Sequence, residues 1–198
     1  EVHNFLVTGV GVVVHNSCWR SARKQLDELG VGTNNHRNMD IPHNREKHKI
    51  DKPGSTEVAQ KYGKNKIEVC FDDLGFPDFN DWVPNVNGTK MEFVINMNGN
   101  NLTGSGTGDY GQAFDQMESL LGYRPSALSQ IEIPGYEGIQ WSLHHHQDGK
   151  TMQLVPKMLN SNTPHVGGRT IMKNAREKGI DHWLPSPSEV GNYKKLCN

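Results

Sequence analysis

Three consecutive histidines, His144, His145 and His146, stand between apolar residues and a glycine-containing turn, and His165 follows an asparagine-rich segment. Imidazoles bind divalent cations and exchange protons near neutral pH. Because neighbouring residues of a strand point to opposite faces, one histidine can bind a cation while the next activates a water. This division of tasks suits hydrolysis of phosphodiester bonds, with further ligands expected from the segment that holds Asn160 and His165.

The histidines fall on a predicted β-hairpin. The stretch "IQWSLHHHQ" alternates like a strand and places Trp141 in the core, Asp148-Gly149 signals a turn, and "KTMQLVP" is typical of a return strand. After Pro156, "KMLNSNTPH" predicts a short helix or irregular turn that Pro164 breaks. The pattern is therefore strand, turn, strand, then helix or loop.

Upstream segments predict the elements that must support this hairpin. The stretch "SCWRSARKQLDELG" predicts a helix, and residues 31–55 predict a basic loop whose histidines, His36, His43 and His48, are solvated. "KIEVCF" predicts a strand with Ile67, Val69 and Phe71 inward, and "MEFVINM" a second strand. "NGNNLTGSGTGD" predicts a loop, and "DYGQAFDQMESLLG" a helix that ends at Gly122, with its apolar face formed by Phe114, Met117, Leu120 and Leu121.

Charge is unevenly distributed along the 198 residues, although the formal net charge is −1. Residues 19–66 carry a net +5, residues 67–140 a net −9 and residues 141–198 a net +4. The basic flanks could attract polyanions, or they are ordinary solvated surface. No apolar run is long enough to cross a bilayer, so no membrane partner is expected. Three cysteines without a CxxC pair argue against a disulfide framework and a cysteine-based zinc site.

The strings "LHHHQDGKTMQLVP" and "PHVGG" resemble the HNH/endonuclease VII nucleases, and more closely the WHH/LHH nuclease domains that end bacterial polymorphic toxins. The resemblance extends weakly upstream and covers roughly residues 67–168. It implies His144 as a metal ligand, His145 as the general base and His165 as a second metal ligand. Asn160 stands where relatives often have histidine and is the expected third ligand. His146 leaves the register of the base open by one residue.

An amide oxygen at Asn160 favours Mg²⁺, with Zn²⁺, Mn²⁺ and Ni²⁺ as alternatives. Arg169 and Lys150 are the candidate phosphate-binding residues, because non-specific nuclease affinity is mainly electrostatic. The alternative for each cation is a solvated surface position. Asp148 is either a turn residue or a partner of the metal-site histidines.

The opening stretch "VHNFLVTGVGVVVHN" resembles the C-terminal end of a Hint (intein-like) domain. An asparagine side chain can cyclise and cleave the chain after itself, with a preceding histidine assisting proton transfer. The resemblance implies His15 as the assisting residue, Asn16 as the cyclising residue and Ser17 as the first residue released. The N-terminal nucleophile block of that family is missing from this sequence, so this stretch is not expected to cleave itself.

Together these patterns predict an α+β fold with a ββα-metal core, additional strands and helices, and a short Hint-derived hairpin in front. The predicted divisions are residues 1–16, a Hint remnant; 17–66, a helix and basic linker; and 67–198, the nuclease domain. The implied protein is a metal-dependent endonuclease whose expected substrate is DNA rather than RNA. It would be the toxin module of a larger bacterial carrier protein that is secreted or delivered from the cell surface, acts in the target-cell cytoplasm and is neutralised by an immunity protein. The alternatives are an RNase toxin of the same fold and an intein fragment joined to an inert segment.

Overall fold

The structure, a computed structural model, describes residues 28, 47–71, 76–95, 106–165 and 168–179. These residues form three small antiparallel sheets and four α-helices. No helix in these ranges is long and apolar enough to span a bilayer. The Hint-like hairpin of residues 1–16 lies outside the described residues. Of the helix predicted for residues 17–30, the structure describes Glu28, which is helical.

The first sheet has the order β1-β2-β3, with β1 at Lys47–Ile50, β2 at Ile67–Phe71 and β3 at Pro77–Asp78. Helix α1 (Ser55–Lys61) connects the first two strands. Along β2 the side chains alternate between buried and half-buried, because period-two alternation directs every second residue to the core. The predicted strand and its inward face are confirmed.

The prediction of a continuous loop over residues 31–55 is wrong at β1. Lys47–Ile50 pairs with β2 over its full length, so a strand before residue 66 shares a sheet with a strand after it. His48, predicted to be solvated, is half-buried, and its Nε2 donates a hydrogen bond of 2.9 Å to the carbonyl oxygen of Asn162. The polar composition of this segment gave no strand pattern, and β1 is stabilised by its pairing with β2. The domain boundaries themselves stay predictions.

A short two-stranded ribbon joins the first sheet to the sheet that carries the histidines. A 3₁₀ turn at Asn80–Trp82 precedes β4 (Asn85–Val86) and β5 (Thr89–Lys90), which pair with each other. β6 (Glu92–Val94) then enters the third sheet. It is shorter than the predicted strand "MEFVINM", and its Phe93 is buried.

The third sheet has the order β6-β8-β7, with β7 at Trp141–His145 and β8 at Thr151–Pro156. Both predicted strands of the histidine hairpin are confirmed, and Trp141 lies in the core. Gly149 in the connecting turn has φ +69°, a left-handed conformation that suits glycine. β8 is central and paired on both sides, which explains why its residues from Met152 onward are all buried.

Three further helices pack around this sheet. They are α2 (Gly106–Leu121), α3 (Lys157–Asn162) and α4 (Gly168–Glu177). Helix α2 confirms the predicted helix, begins three residues earlier than its sequence pattern indicated, and ends at Leu121, just before Gly122, whose φ is +77°. This combination of small sheets and helices is compatible with an HNH-type nuclease fold, as the resemblance implied.

One hydrophobic core connects the strands and helices. Its largest fully buried side chains are Trp82, Phe71, Phe79, Phe93, Ile67, Met91, Ile95, Met117, Leu143 and Met152. An odd number of cysteines argued against disulfides, but Cys70 on β2 is disulfide-bonded. An odd count prevents all three cysteines from pairing within one chain, while two of them remain able to pair.

Candidate active site

The last two residues of β7 direct their imidazoles to opposite faces of the third sheet. His144 lies opposite Gln153 of β8, and His145 lies opposite Met152. Both histidines are buried, with 3% of His144 and 6% of His145 exposed. Strand geometry therefore gives the two neighbouring imidazoles separate environments, as the alternation of the sequence predicted.

On one face, His144 meets α3 and the segment that follows it. Its Nδ1 lies 3.1 Å from Oδ1 of Asn160, whose Nδ2 donates a 3.0 Å hydrogen bond to Oγ of Ser142. The ring of His165 lies 5.2 Å from the ring of His144, measured between centroids. Phe79 packs edge-on against both rings, at 4.8 Å and 5.9 Å. The structure thus brings His144, Asn160 and His165 together.

Hydrogen bonding determines the tautomers of these two imidazoles. Oδ1 of Asn160 can only accept, so Nδ1 of His144 carries the proton and its Nε2 keeps a lone pair. Likewise, Nδ1 of His165 donates a 2.7 Å hydrogen bond to the carbonyl oxygen of Thr163, which leaves Nε2 of that ring as the acceptor nitrogen. Both rings therefore present Nε2 in the state that a metal requires.

Electrostatics keeps His144 neutral. Burial, followed by the nearby imidazoles of His165 and His146, holds the pKa of His144 well below its ordinary value, and the hydrogen bond with Asn160 opposes this shift. A histidine of this kind is unprotonated at neutral pH. Metal coordination requires that neutral form.

Of the three residues predicted to bind the cation, His144 and His165 suit a divalent cation better than Asn160 does. The two Nε2 atoms of His144 and His165 are suitable nitrogen ligands. However, the described ranges contain no group of three His, Cys, Asp or Glu side chains that could hold a metal ion. Oδ1 of Asn160 already accepts the proton of His144, an arrangement typical of the residues that orient metal-binding histidines. Its role as third ligand stays a prediction.

A row of polar side chains extends from His144 across the same face of the sheet. Gln153, 2% exposed, donates through Nε2 to Oδ1 of Asn80 at 3.0 Å and to Oε1 of Glu92 at 2.9 Å. Glu92 is the register partner of Gln153 on β6, and His144 is its partner on β7. The face that carries His144 is therefore polar across all three strands.

On the opposite face, His145 contacts the first turn of α2. Its Nε2 lies 3.1 Å from Oδ2 of Asp109, a carboxylate with no exposed surface. The ring of Tyr110 lies 6.0 Å from the imidazole, and the Tyr110 hydroxyl donates a 3.4 Å hydrogen bond to the carbonyl oxygen of Leu143. The second histidine is therefore held by a buried acid that the sequence did not single out.

His146 belongs to the hairpin turn. Its Nδ1 lies 3.2 Å from the backbone nitrogen of Asp148 and 3.3 Å from Oδ1 of that residue. The Asp148 carboxylate also accepts hydrogen bonds from the backbone of Lys150 and from both the backbone and the hydroxyl of Thr151. Asp148 thus closes the turn, and His146 contacts it there.

Helix α4 begins against the same end of β7. A Cβ atom on Gly168 would lie 2.4 Å from the carbonyl oxygen of His146 and 2.6 Å from that of His145. Arg169 follows as an exposed residue, and its charge acts on Tyr110. Burial raises the pKa of Tyr110, while the charge of Arg169 opposes this and Asp109 adds to it.

Lys150, the other predicted phosphate-binding residue, is exposed at the end of the turn. The predicted self-cleavage residues His15, Asn16 and Ser17 lie outside the described residues.

Comparison with known families adds an independent finding. Residues 134–175 match the WHH family. That family is described as a nuclease of the HNH/ENDO VII superfamily with conserved WHH. The WHH segment contains both strands of the histidine hairpin, α3 and most of α4. No curated protein matches the chain closely enough to count as a relative.

The WHH match supports nuclease activity, and therefore a hydrolase acting on nucleic acid. HNH/ENDO VII nucleases generally depend on divalent metals, which agrees with the two metal-competent imidazoles. Asp109 lies outside the WHH segment.

Sequence reasoning missed the residues that support the histidines from elsewhere in the chain. Asp109 was assigned to the start of a helix, and Phe79 received no role. The sequence did show that Asp109 is an acid in the first turn of an amphipathic helix. If such an acid is buried when the helix packs, its carboxylate needs a hydrogen-bonding partner. Nothing local could have named His145 as that partner.

Proposed function

We propose that the chain is a metal-dependent endonuclease that hydrolyses the phosphodiester bonds of DNA in preference to those of RNA. The observation that carries the proposal is the pair formed by buried His144 and half-buried His165. Each ring is held by a hydrogen bond at Nδ1, in the tautomer whose Nε2 carries the lone pair. That this pair falls within the WHH segment supports nucleic acid as the substrate class.

The residues have separate roles in this proposal. His144 and His165 hold the cation, and Asn160 orients His144. When bound, a divalent cation supplies the positive charge that stabilises the transition-state phosphate and the leaving oxygen. His145 accepts a proton from the attacking water as its oxygen bonds to phosphorus. The bond from phosphorus to the leaving oxygen breaks, and that oxygen takes a proton from solvent.

Arg169 and Lys150 are proposed to contact phosphates beside the cleaved bond. Both are exposed: Lys150 lies at the end of the turn that follows the histidines, and Arg169 is the second residue of α4. Such contacts are electrostatic and independent of sequence. Removing either positive charge should weaken binding and reduce its dependence on salt.

Mg²⁺ is the proposed cation, with Zn²⁺, Mn²⁺ and Ni²⁺ as the ions to test beside it. The preference for Mg²⁺ depended on an oxygen ligand from Asn160. Since this oxygen accepts a hydrogen bond from His144, the two imidazole nitrogens suit the three transition-series ions at least equally well. Parallel assays with each ion decide among them.

The biological role proposed is that of a toxin module. The Hint-like stretch ending at His15 and Asn16 precedes the nuclease in the sequence, an order that suits release of a toxin from its carrier. Such a toxin requires an immunity protein, and an acidic surface on that protein would complement Arg169 and Lys150. Secretion or surface delivery, with action in the cytoplasm of a target cell, completes this proposal.

The direct test is incubation of the purified chain with plasmid DNA and, in parallel, with total RNA. Each reaction contains one of the four cations or a chelator. We expect nicking and linearisation of the plasmid by the wild-type chain and loss of cutting in His144→Ala and His145→Ala. His48→Gln is the matched control, since the glutamine amide can still donate to the Asn162 carbonyl. Cutting by His145→Ala at the wild-type rate would contradict the proposal.

The RNase alternative is decided in the same experiment, because it predicts degraded RNA beside an intact plasmid. The toxin role is tested by expressing the chain in bacteria. We expect loss of viability with the wild-type chain and survival with His144→Ala. Survival in both cases, together with an inert purified protein, would favour the intein fragment joined to an inert segment.

A further inference from the structure

The buried carboxylate of Asp109 makes a close contact with the second histidine of the motif. It lies in the first turn of α2, while His145 is the last residue of β7, 36 positions later in the chain. Oδ2 of Asp109 and Nε2 of His145 are 3.1 Å apart. Asp109 has no exposed surface and His145 is 6% exposed. Helix and strand thus present two ionisable groups to each other away from water.

Because Asp109 is buried, its contact with His145 indicates which ring nitrogen of His145 carries the proton. A carboxylate removed from water is strongly destabilised unless hydrogen bonds compensate for the lost hydration. An ionised carboxylate can only accept, so Nε2 of His145 donates the proton to Oδ2 of Asp109. In the neutral imidazole, the remaining nitrogen, Nδ1, is then an acceptor with a lone pair. The contact therefore determines which nitrogen of His145 is able to accept a proton.

Two neighbours constrain His145, one at its ring and one at its backbone. The Tyr110 ring packs beside it, with 6.0 Å between centroids and 32° between planes, and the Tyr110 hydroxyl is anchored to the carbonyl of Leu143. Gly168 at the start of α4 allows close approach to the His145 carbonyl. Backbone and ring are therefore both constrained where β7 ends.

We propose that Asp109 is a positioning residue for the nuclease reaction, holding His145 in the Nε2–H tautomer so that Nδ1 is the atom that accepts the proton from water. The inference rests on the proposed function, which assigns the base to His145, and adds the residue that orients it. Asp109 touches neither substrate nor cation in this scheme. It acts through the imidazole, as a buried carboxylate does in hydrolases that pair an acid with a catalytic histidine.

The decisive variant is Asp109→Asn, which preserves the shape of the side chain and removes its charge. The new amide can donate to Nε2 and so favour the opposite tautomer. We expect kcat to fall by about 10²- to 10⁴-fold while KM changes less than about threefold. Asp115→Asn is the matched control, because Asp115 lies on the same helix in an exposed ion pair with Arg124. Its kcat should equal that of the wild type.

A merely structural role makes a different prediction. It would lower the thermal midpoint of Asp109→Asn and leave the kcat of the remaining folded protein within about threefold of wild type. Thermal unfolding of both variants, measured beside the kinetics, separates the two cases. An unchanged kcat in folded Asp109→Asn would overturn the proposal.

A spectroscopic measurement keeps the inference testable if the variant does not fold or if the chain cuts no nucleic acid. The ring nitrogens of ¹⁵N-histidine-labelled wild-type chain report the tautomer of His145, assigned by comparison with His145→Gln. We expect a protonated Nε2 and an unprotonated Nδ1. The opposite tautomer would overturn the proposal. Inactive protein with the expected tautomer would refute the proposed function and, with it, the catalytic purpose of Asp109, while confirming the contact.

Discussion

Gly168 is the residue at which a single methyl group should affect both stability and activity. It opens α4, and a Cβ built on it would lie 2.4 Å from the carbonyl oxygen of His146 and 2.6 Å from that of His145. Ordinary contact begins near 3.4 Å. Gly168→Ala therefore requires α4 to withdraw from the end of β7 by about 1 Å, because rigid backbone atoms, and no flexible side chain, stand in the way.

The expected cost follows from two opposing terms. Forcing a methyl group into a packed interface typically costs about 1–3 kcal/mol. Replacing glycine in a helix gains at most about 1 kcal/mol, and less at the first residue, where few helical hydrogen bonds depend on it. The net expectation is a loss of about 1–2 kcal/mol. Because a displacement of about 1 Å near a reacting group can cost about 10²-fold in rate, kcat should also fall by about 10- to 100-fold.

Urea unfolding of the purified variants measures the first quantity, and plasmid cutting measures the second. Gly111→Ala provides the matched control, since Gly111 lies within α2 and an added Cβ would meet nothing within 4 Å. That variant should gain about 0.5–1 kcal/mol through helix propensity. A Gly168→Ala protein as stable as Gly111→Ala would refute the close approach of α4 to β7.

Three further predictions address the metal, the metal-site hydrogen bonds and the turn. Removing divalent cations with a chelator should abolish cutting, and adding back Mg²⁺ or a competing ion should restore it, as a plasmid assay would show. Asn160→Ala should cost about 1–3 kcal/mol in urea unfolding, because the buried Nδ1–H of His144 loses its acceptor. Asp148→Ala should cost about 1–3 kcal/mol near pH 7, because the turn loses the acceptor of the Lys150 and Thr151 hydrogen bonds. Although burial opposes ionisation, hydrogen bonds from His146 and Thr151 hold the pKa of Asp148 below its ordinary value. The stability that the ionised Asp148 contributes is therefore complete above the unfolded pKa of about 3.9. It is lost as the pH falls towards the lower pKa of the folded state. The stability difference between wild type and Asp148→Ala should therefore shrink between about pH 5 and pH 2 in acid-series unfolding.

The histidine hairpin could be predicted because its signals are local. Alternation along β7, the Asp148-Gly149 pair and the apolar return strand each depend on neighbouring residues, and the structure confirms all three. The placement of His144 and His145 on opposite faces could also be predicted, because neighbouring residues of a strand point in opposite directions. The strand at Lys47–Ile50 could not be predicted, since its polar side chains carry no alternation and its order comes from pairing with β2.

By itself, then, the sequence determined the hairpin, the inward face of β2, the helix that contains Asp109 and the nuclease class that the motif implies. Tertiary structure alone decided that Asn160 meets Nδ1 of His144, that Asp109 meets Nε2 of His145 and that Gly168 abuts the end of β7. The physical reason is distance along the chain. Periodicity and turn chemistry act over a few residues, whereas these contacts join separate elements and depend on how a shared core packs them.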